Sequence, residues 1–406
     1  MKRISIILEC IVLLVVGILV FTNQSQKQIL VEEGTKNENT SLVFMLQEED
    51  GTYSKSDSLP SSGYSFNATK SVCSNGATPT WEDNRLYLNN LTSNGTSCYL
   101  YFDVMVAAEV ILASSKVNEG TPDFSQVATT DEGMYKAEDD LGTSYYFRGA
   151  VENNYLKFAG YWWRIIRING NGSIRLIYDG ISAHANGESS SDRQAGTSAY
   201  NSSYNQSYYV GYTYEEGLQR PTIQNSGTPS TIKGVLDSWY TTNIINKGYD
   251  DNVVSSPGFC NDRNLQSVWG DWVSSGVTQY YAAWERLYTN KTPTLQCSNE
   301  LSDLYTLKIG LITADEVAMA GGVYVLSNGT YYLYTGNPFW TMSSVSLYVG
   351  SGGSLANVFE VTSTGQLGDY YVNGVHGVRP VINLSADVSL TGTGTMSDPY
   401  VVEGAE

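Results

Sequence analysis

Four cysteines carry the most definite chemistry in the chain. Cys73, Cys98, Cys260 and Cys297 lie beyond an apolar N-terminal run that contains the fifth, Cys10. None belongs to a C-x-x-C pair, and the chain has only two histidines, so the spacing is wrong for a zinc site. Four cysteines past an apolar segment suit two disulfides in an oxidising compartment. Sequence leaves the pairing open; the local one, Cys73–Cys98 with Cys260–Cys297, is favoured, each closed loop stabilising by roughly 3–4 kcal/mol. His184 has no acid or nucleophile at a spacing that marks a catalytic set. Walker, Rossmann, H-E-x-x-H, G-x-S-x-G and D-x-D-x-D-G patterns are absent. No catalytic residue, metal ligand or cofactor is assigned, and the residues weigh against an enzyme. Arg164, Arg167 and Arg175 share a ribbon rich in Ile and Trp. They form either an anion site or salt bridges to Glu138-Asp139-Asp140, and the second reading is favoured.

The elements that must position these residues are built from an unusual composition. Charged residues are 16%, below the roughly 25% of ordinary soluble domains. Tyr occurs 31 times and the formal net charge is -18. Without clustered Lys and Arg, a nucleic-acid partner is excluded. Lys2 and Arg3 precede an apolar run from Ile4 to Phe21, which as a helix spans about 27 Å, close to the hydrocarbon thickness. Glu32 and Glu33 follow it. This predicts a signal anchor or transmembrane helix over 1–22, in the membrane through residues 4–21, with the N-terminus inside and the bulk extracellular. A cleavable signal peptide is the alternative. Glu9, inside the run, resembles the early carboxylate of type IV prepilins. Ile4 stands where that family needs Gly, so a Glu near the interface is the preferred reading.

The rest divides into a polar spacer (23–40), a small disulfide-stapled β module (41–105), a short helix or linker (106–120) and a main domain (121–406) with a long surface loop at 181–229. In the module, short runs such as 42–46, 86–88 and 99–102 read as strands punctuated by Gly, Asn and Ser. In the main domain, 144–151 and 155–168 read as strands. Asn169-Gly170-Asn171-Gly172 turns the second into 173–178. Ser230-Thr231 opens a helix with a stripe of Ile232, Val235, Leu236 and Trp239. Thr313 and Glu316 form a capping box, and Gly321-Gly322 ends that helix. Val378, Val381, Ile382 and Leu384 read as a buried closing strand.

Two sets of motifs carry resemblances. Residues 63–66, 71–76, Trp81 and 96–103 resemble a small stapled β-sandwich found in surface proteins of Firmicutes and related wall-less bacteria. Residues 310–316, 339–344 and 377–382, in that order, resemble the C-type-lectin-like fold. The branch is the one shared by formylglycine-generating enzymes and a bacterial surface family whose C-terminal domain has no assigned function. The resemblance implies an α+β, mostly β chain: membrane helix, β-sandwich-like module, and C-terminal lectin-like domain. It also implies where a ligand binds, in the segment between the Trp-led strand and the closing strand. That segment offers Trp340, Ser343, Ser344, Tyr348, Asn357, Tyr370, Tyr371, Asn373 and His376, a mix of rigid rings and adaptable hydrogen-bonding groups. The late reactive cysteine pair of the enzymes is missing, since no cysteine follows Cys297. The expectation is therefore a membrane-anchored extracellular recognition or adhesion protein that binds a protein or glycan. A wall- or glycan-active enzyme and a pilus-like structural subunit are the alternatives. The enzyme would need two carboxylates about 5–10 Å apart in a cleft.

Overall fold

The computed structural model describes residues 29–31, 40–48, 50–60, 63–82, 85–91, 95–219, 224–269, 276–297 and 304–405. The expected membrane span at 4–21, with Glu9 and Cys10, lies outside them. Among the described residues no helix is long and apolar enough to cross a membrane. Strand outweighs helix, 40% against 15%, which makes the chain mostly β within the α+β class. It divides into two compact units, Met1–Met105 and Val106–Glu406.

The first unit has two sheets. In one, Ile29–Val31 (β1) pairs in parallel with Arg85–Asn89 (β7), which pairs with Thr78–Glu82 (β6). β1 falls within the stretch expected to be a spacer. The other comprises Thr40–Gln47 (β2), Tyr53–Ser56 (β3), Tyr64–Phe66 (β4), Val72–Cys73 (β5) and Thr96–Val104 (β8), ordered β3-β2-β8-β4 with β5 also on β8. Side chains alternate along β8: Cys98, Leu100 and Phe102 point inward while Ser97 and Tyr99 face out. The inward set packs on Leu86 and Leu88 from the other sheet and on Phe44, so the two sheets bury one core between them. Cys73 and Cys98 are direct cross-strand partners and are disulfide-bonded.

The second unit opens with a helix, Ala107–Ala113 (α1), and is built on two larger sheets. The central sheet contains Asp131–Asp139 (β9), Gly142–Gly149 (β10), Tyr155–Phe158 (β11), Tyr161–Ile168 (β12), Ile174–Gly180 (β13), Ile309–Gly310 (β20), Val381–Leu384 (β25), Leu390–Thr391 (β26) and Tyr400–Val402 (β27). Its order is β20-β25-β13-β12-β11-β27-β26, with β10 joining β12 to β9. The turn expected at Asn169–Gly172 connects β12 and β13. β25 is the expected closing strand, entirely buried.

The second sheet contains Thr197–Ala199 (β14), Gln279–Tyr280 (β18), Phe339–Gly350 (β21), Gly353–Val361 (β22), Leu367–Tyr371 (β23) and Val375–Gly377 (β24). Its order is β14-β24-β21-β22-β23, with β18 on the far part of β21. Two short ladders complete the unit, Thr213–Tyr214 (β15) with Thr228–Pro229 (β16), and Phe259–Cys260 (β17) with Leu304–Tyr305 (β19). Three further helices punctuate it: Thr231–Asn243 (α2), Ala282–Trp284 (α3), which runs on as a π-helix through Asn290, and Ala314–Met319 (α4). Ser230 caps α2, which buries Ile232, Leu236 and Tyr240; Val235, expected in that stripe, is exposed.

The stretch 181–229 departs from a simple surface loop. Its described residues include short 3-10 turns and strands, and Arg193, Tyr200, Val210 and Tyr212 are buried. Ser, Asn and Gly hide this from a periodicity reading, because the buried side chains have no regular spacing.

Candidate functional site

Arginines form much of the second unit's interior. Arg148, Arg164, Arg167, Arg175, Arg193, Arg263 and Arg379 are all buried. A buried charge needs a counter-charge or a full set of hydrogen bonds: Arg148, Arg167, Arg175, Arg193 and Arg379 meet carboxylates, while Arg164 and Arg263 bond amide or carbonyl oxygens. Glu316 is the hub of one group. Its Oε1 lies 3.1 Å from Arg167 Nε and 2.5 Å from Arg175 Nε, while Oε2 accepts from the Thr313 amide at 2.9 Å. Thr313 Oγ1 in turn accepts from the Glu316 amide, so the expected capping box also anchors an ionic core. Arg167 reaches Asp139 at 2.7 Å, as the salt-bridge reading expects. Arg164 does not; it bonds Asn154, Asn186 and the Val151 carbonyl. The motif Gly377-Val378-Arg379-Pro380 feeds a second group. Arg379 pairs with Asp179 at 2.7 Å, and Asp179 also holds Arg193 at 2.8 Å. A Cβ on Gly377 would lie 2.1 Å from the Gln194 side chain, so only glycine admits that contact.

These charges surround a polar pocket beside the Cys260–Cys297 disulfide, lined by Arg167, Arg175, Arg286, Asp315 and Glu316 among others. Arg286 bridges Asp262 and Asp315, at 2.8 and 3.0 Å. Every arginine of the lining is engaged by a carboxylate. Burial alone would raise the Glu316 carboxyl, but Arg175, Arg167 and the Thr313 amide outweigh it and hold it below its ordinary value. An acid that donates a proton near neutral pH needs the opposite shift. Glu188, Asp192, Asp250 and Glu285 are lowered as well.

His184 has partners that its sequence neighbourhood concealed. Nδ1 lies 2.8 Å from Glu188 and Nε2 lies 2.8 Å from Asp192, with Ser182 Oγ 3.4 Å from Nε2. Both ring nitrogens face carboxylates, and the Ser182 hydroxyl donates to Asp192 instead. The buried ring ties this segment together through both carboxylates. The His184/Glu188 spacing of four was the only signal available in the chain. Among the described residues no group of three His, Cys, Asp or Glu side chains is placed to hold a metal.

The residues expected to contact ligand separate into three sets. Trp340, Ser343, Ser344 and Asn357 are buried, so they are corrected to structural roles. Trp340 Nε1 donates to the Ser198 carbonyl at 2.8 Å, and Ser343 Oγ accepts from the Ala314 amide at 2.9 Å. His376 and Tyr370 lie over Trp340 on one face of the sheet. The His376 ring stacks on Trp340 with centroids 4.6 Å apart, packs against Tyr370 at 4.6 Å, and pairs through Nδ1 with buried Glu360. Asn357, Tyr348 and Tyr371 occupy the other face. The ladder places Tyr280, Ser346, Asn357 and Tyr371 in one row across β18, β21, β22 and β23. Alternation adds Asp369 to that face, two residues from Tyr371. Asn373 is exposed in the turn before β24.

This second face carries a ring cluster that sequence reasoning missed. Tyr280, Trp284 and Tyr288 stack in series, with centroids 4.7 and 4.5 Å apart. Tyr324 sets its ring edge-to-face with Trp284 at 5.1 Å and Tyr288 at 5.4 Å. Its hydroxyl donates to Asp369, whose other oxygen accepts from Asn357 Nδ2 at 3.2 Å. Burial, then Asp369, pushes the Tyr324 phenol well above its ordinary range, so it remains a donor. The following residue, Val325, sits at φ 60° and 60% exposed, a backbone region that β-branched residues seldom enter. Tyr348 and Tyr371 stand exposed at 44% and 38%. The regular spacing Tyr280, Trp284, Tyr288 was the available signal; at a period of four it reads as a core stripe instead.

No family model, curated protein or solved structure matches this chain.

Proposed function

We propose that this protein recognises a protein or glycan ligand outside the cell, tethered to the membrane through residues 4–21 with its N-terminus inside. Ligand is bound by the β18–β21–β22–β23 face of the second unit. The observation that carries this is the exposed pair Tyr348 and Tyr371 on a sheet that also holds Tyr280, backed by the Trp284, Tyr288 and Tyr324 rings. Rings already locked against one another lose little entropy when a ligand covers them. Asp369, held by Tyr324 and by buried Asn357, supplies a fixed polar group among them. The resemblance of 310–316, 339–344 and 377–382 to the C-type-lectin-like fold supports the same segment as the contact region. The lowered Glu316 carboxyl and the engaged arginines of the polar pocket favour recognition over glycan hydrolysis.

The test is binding of the purified full-length protein to glycan and surface-protein arrays. A specific ligand should lose at least tenfold in affinity on Tyr348→Ala or Tyr371→Ala, while Trp340→Ala instead lowers the melting temperature. A ligand retained at full affinity by both tyrosine variants would place binding elsewhere.

A further inference from the structure

We infer that the ligand of this face is a polypeptide that inserts an arginine side chain between Asp369 and the surrounding tyrosine rings. This rests on the recognition reading and names the chemistry of the partner.

The protein's own arginines show what such a site contains. Arg175 lies over Phe259 at 4.5 Å and pairs with Glu316; Arg379 lies over Phe339 at 4.9 Å and pairs with Asp179; Arg148 lies over Phe124 at 5.4 Å and pairs with Glu132. In each case a ring face and a carboxylate hold one guanidinium. Both attractions are physical: the ring quadrupole draws the cation, and the planar fork matches carboxylate geometry. Asp369 supplies the carboxylate beside rings of another kind: Tyr324 meets it through its hydroxyl, and in the stack behind it Lys291 Nζ lies 5.6 Å over the Tyr288 ring. Tyr324 donates to one oxygen and Asn357 to the other, both neutral, and among the described residues no cation lies within salt-bridge distance of it. Asp369 also acts on Tyr280: after burial, it is the next cause that pushes that phenol up. A half-buried carboxylate among rings, with lone pairs left over, is an arginine site without its arginine.

The whole molecule points the same way. The formal net charge is -18, and seven named arginines are withdrawn into the interior. Asp139, Asp179, Asp262, Asp315, Glu316 and Glu360 are buried as well and nearly balance them, so the net negative charge lies at the surface, where it steers a basic partner. A polypeptide fits better than an amino sugar because the inner rings are already stacked face to face. That leaves their hydroxyl oxygens and the Asp369 carboxylate as acceptors, which suit the fork of a guanidinium reaching inward better than a sugar ring that needs a free face to lie flat on. Arg, Tyr and Trp are also the residues that dominate protein interfaces.

The experiment titrates the full-length protein with three blocked peptides, acetyl-Gly-X-Gly-amide, where X is arginine, lysine or citrulline. Citrulline keeps the shape of arginine and removes its charge. The expected result is saturable binding of the arginine peptide, at least tenfold weaker binding of the citrulline peptide, and an intermediate lysine peptide. Asp369→Asn should bring the arginine peptide down to the citrulline level. Tyr288→Ala, at an exposed ring, should weaken it several-fold and keeps the test open if Asp369→Asn does not fold. Equal binding of arginine and citrulline peptides, or no effect of either variant, would overturn the inference. So would a glucosamine oligomer that binds through Asp369 more tightly than the arginine peptide. An array ligand that depends on Tyr348 and Tyr371 but ignores Asp369→Asn would sink this inference and leave the recognition reading standing. Silence from every array and peptide would sink both.

Discussion

Glu316 shows how one side chain can carry two structural duties. It closes the first turn of α4 and neutralises Arg167 and Arg175. The first duty was legible, because Thr313 and Glu316 stand three apart. The second was not, because Arg167 is 149 residues away and only the sheet brings them together. Breaking such a pair from one side leaves a charge buried alone, so Glu316→Gln should destabilise the second unit by about 3–5 kcal/mol in a denaturant titration. The folded carboxyl is held below its unfolded value, so its contribution is fully present above roughly pH 4.5. It is lost as pH falls through the lower folded value. The melting temperature should therefore drop below about pH 4.5, and Glu316→Gln should flatten part of that slope. Asp369 was illegible for a different reason: next to Tyr370 and Tyr371 it reads as ordinary loop polarity, and its ring neighbours come from α3 and from the turn at 323–326.

At the level of elements, alternation decides what each predicted contact can do. Tyr370 and Tyr371 are adjacent in the chain and their rings pack 5.6 Å apart, yet their ladder partners differ: Tyr370 stands opposite Val358 and against His376, Tyr371 opposite Asn357. The register depends on the tight turn between β22 and β23. There Gly365 adopts φ 76° and its Cα passes so near the Asn328 carbonyl that a Cβ would lie 1.9 Å from that oxygen. Gly365→Ala should cost more than about 1 kcal/mol. It should also weaken ligand binding, because the turn sets the pairing of Asn357 with Tyr371. A thermal melt paired with a binding titration separates the two effects. The strands around 99–102 and 381–384 were readable from alternation and apolar runs, whereas the run 155–168 folds back at Ala159-Gly160 into two antiparallel strands, β11 and β12. The ordered stretch at 181–219 was not readable, because its anchors are scattered tyrosines and one arginine.

On the scale of the whole molecule, two units each contain one disulfide that joins nearby segments. The closed loops span 25 and 37 residues, worth about 3–4 kcal/mol apiece in the chain-entropy model. Calorimetry of the intact protein should resolve two transitions. Cys73→Ser with Cys98→Ser should move only the first unit's transition, and Cys260→Ser with Cys297→Ser only the second's. A single transition that shifts with either pair would show the units to be coupled. The mostly-β class was expected, and the local disulfide pairing was the favoured one although sequence left it open. The ligand face was not legible, because it combines four strands, a π-helix and a turn that are distant in sequence.

The central sheet also fixes a schedule. β27 lies between β11 and β26, so residues 400–402 fill an interior place next to strands made some 240 residues earlier. β20 and β25 likewise come from late in the chain and extend the edge begun by β13. A chain emerging from its N-terminal end can finish the first unit early, whereas the second waits with Leu156 and Phe158 unshielded until Tyr400 arrives. The second unit is thus the slow partner, dominated by contacts of long sequence separation. Anything that interrupts synthesis just short of Tyr400 releases a sticky fragment, not a smaller version of the second unit.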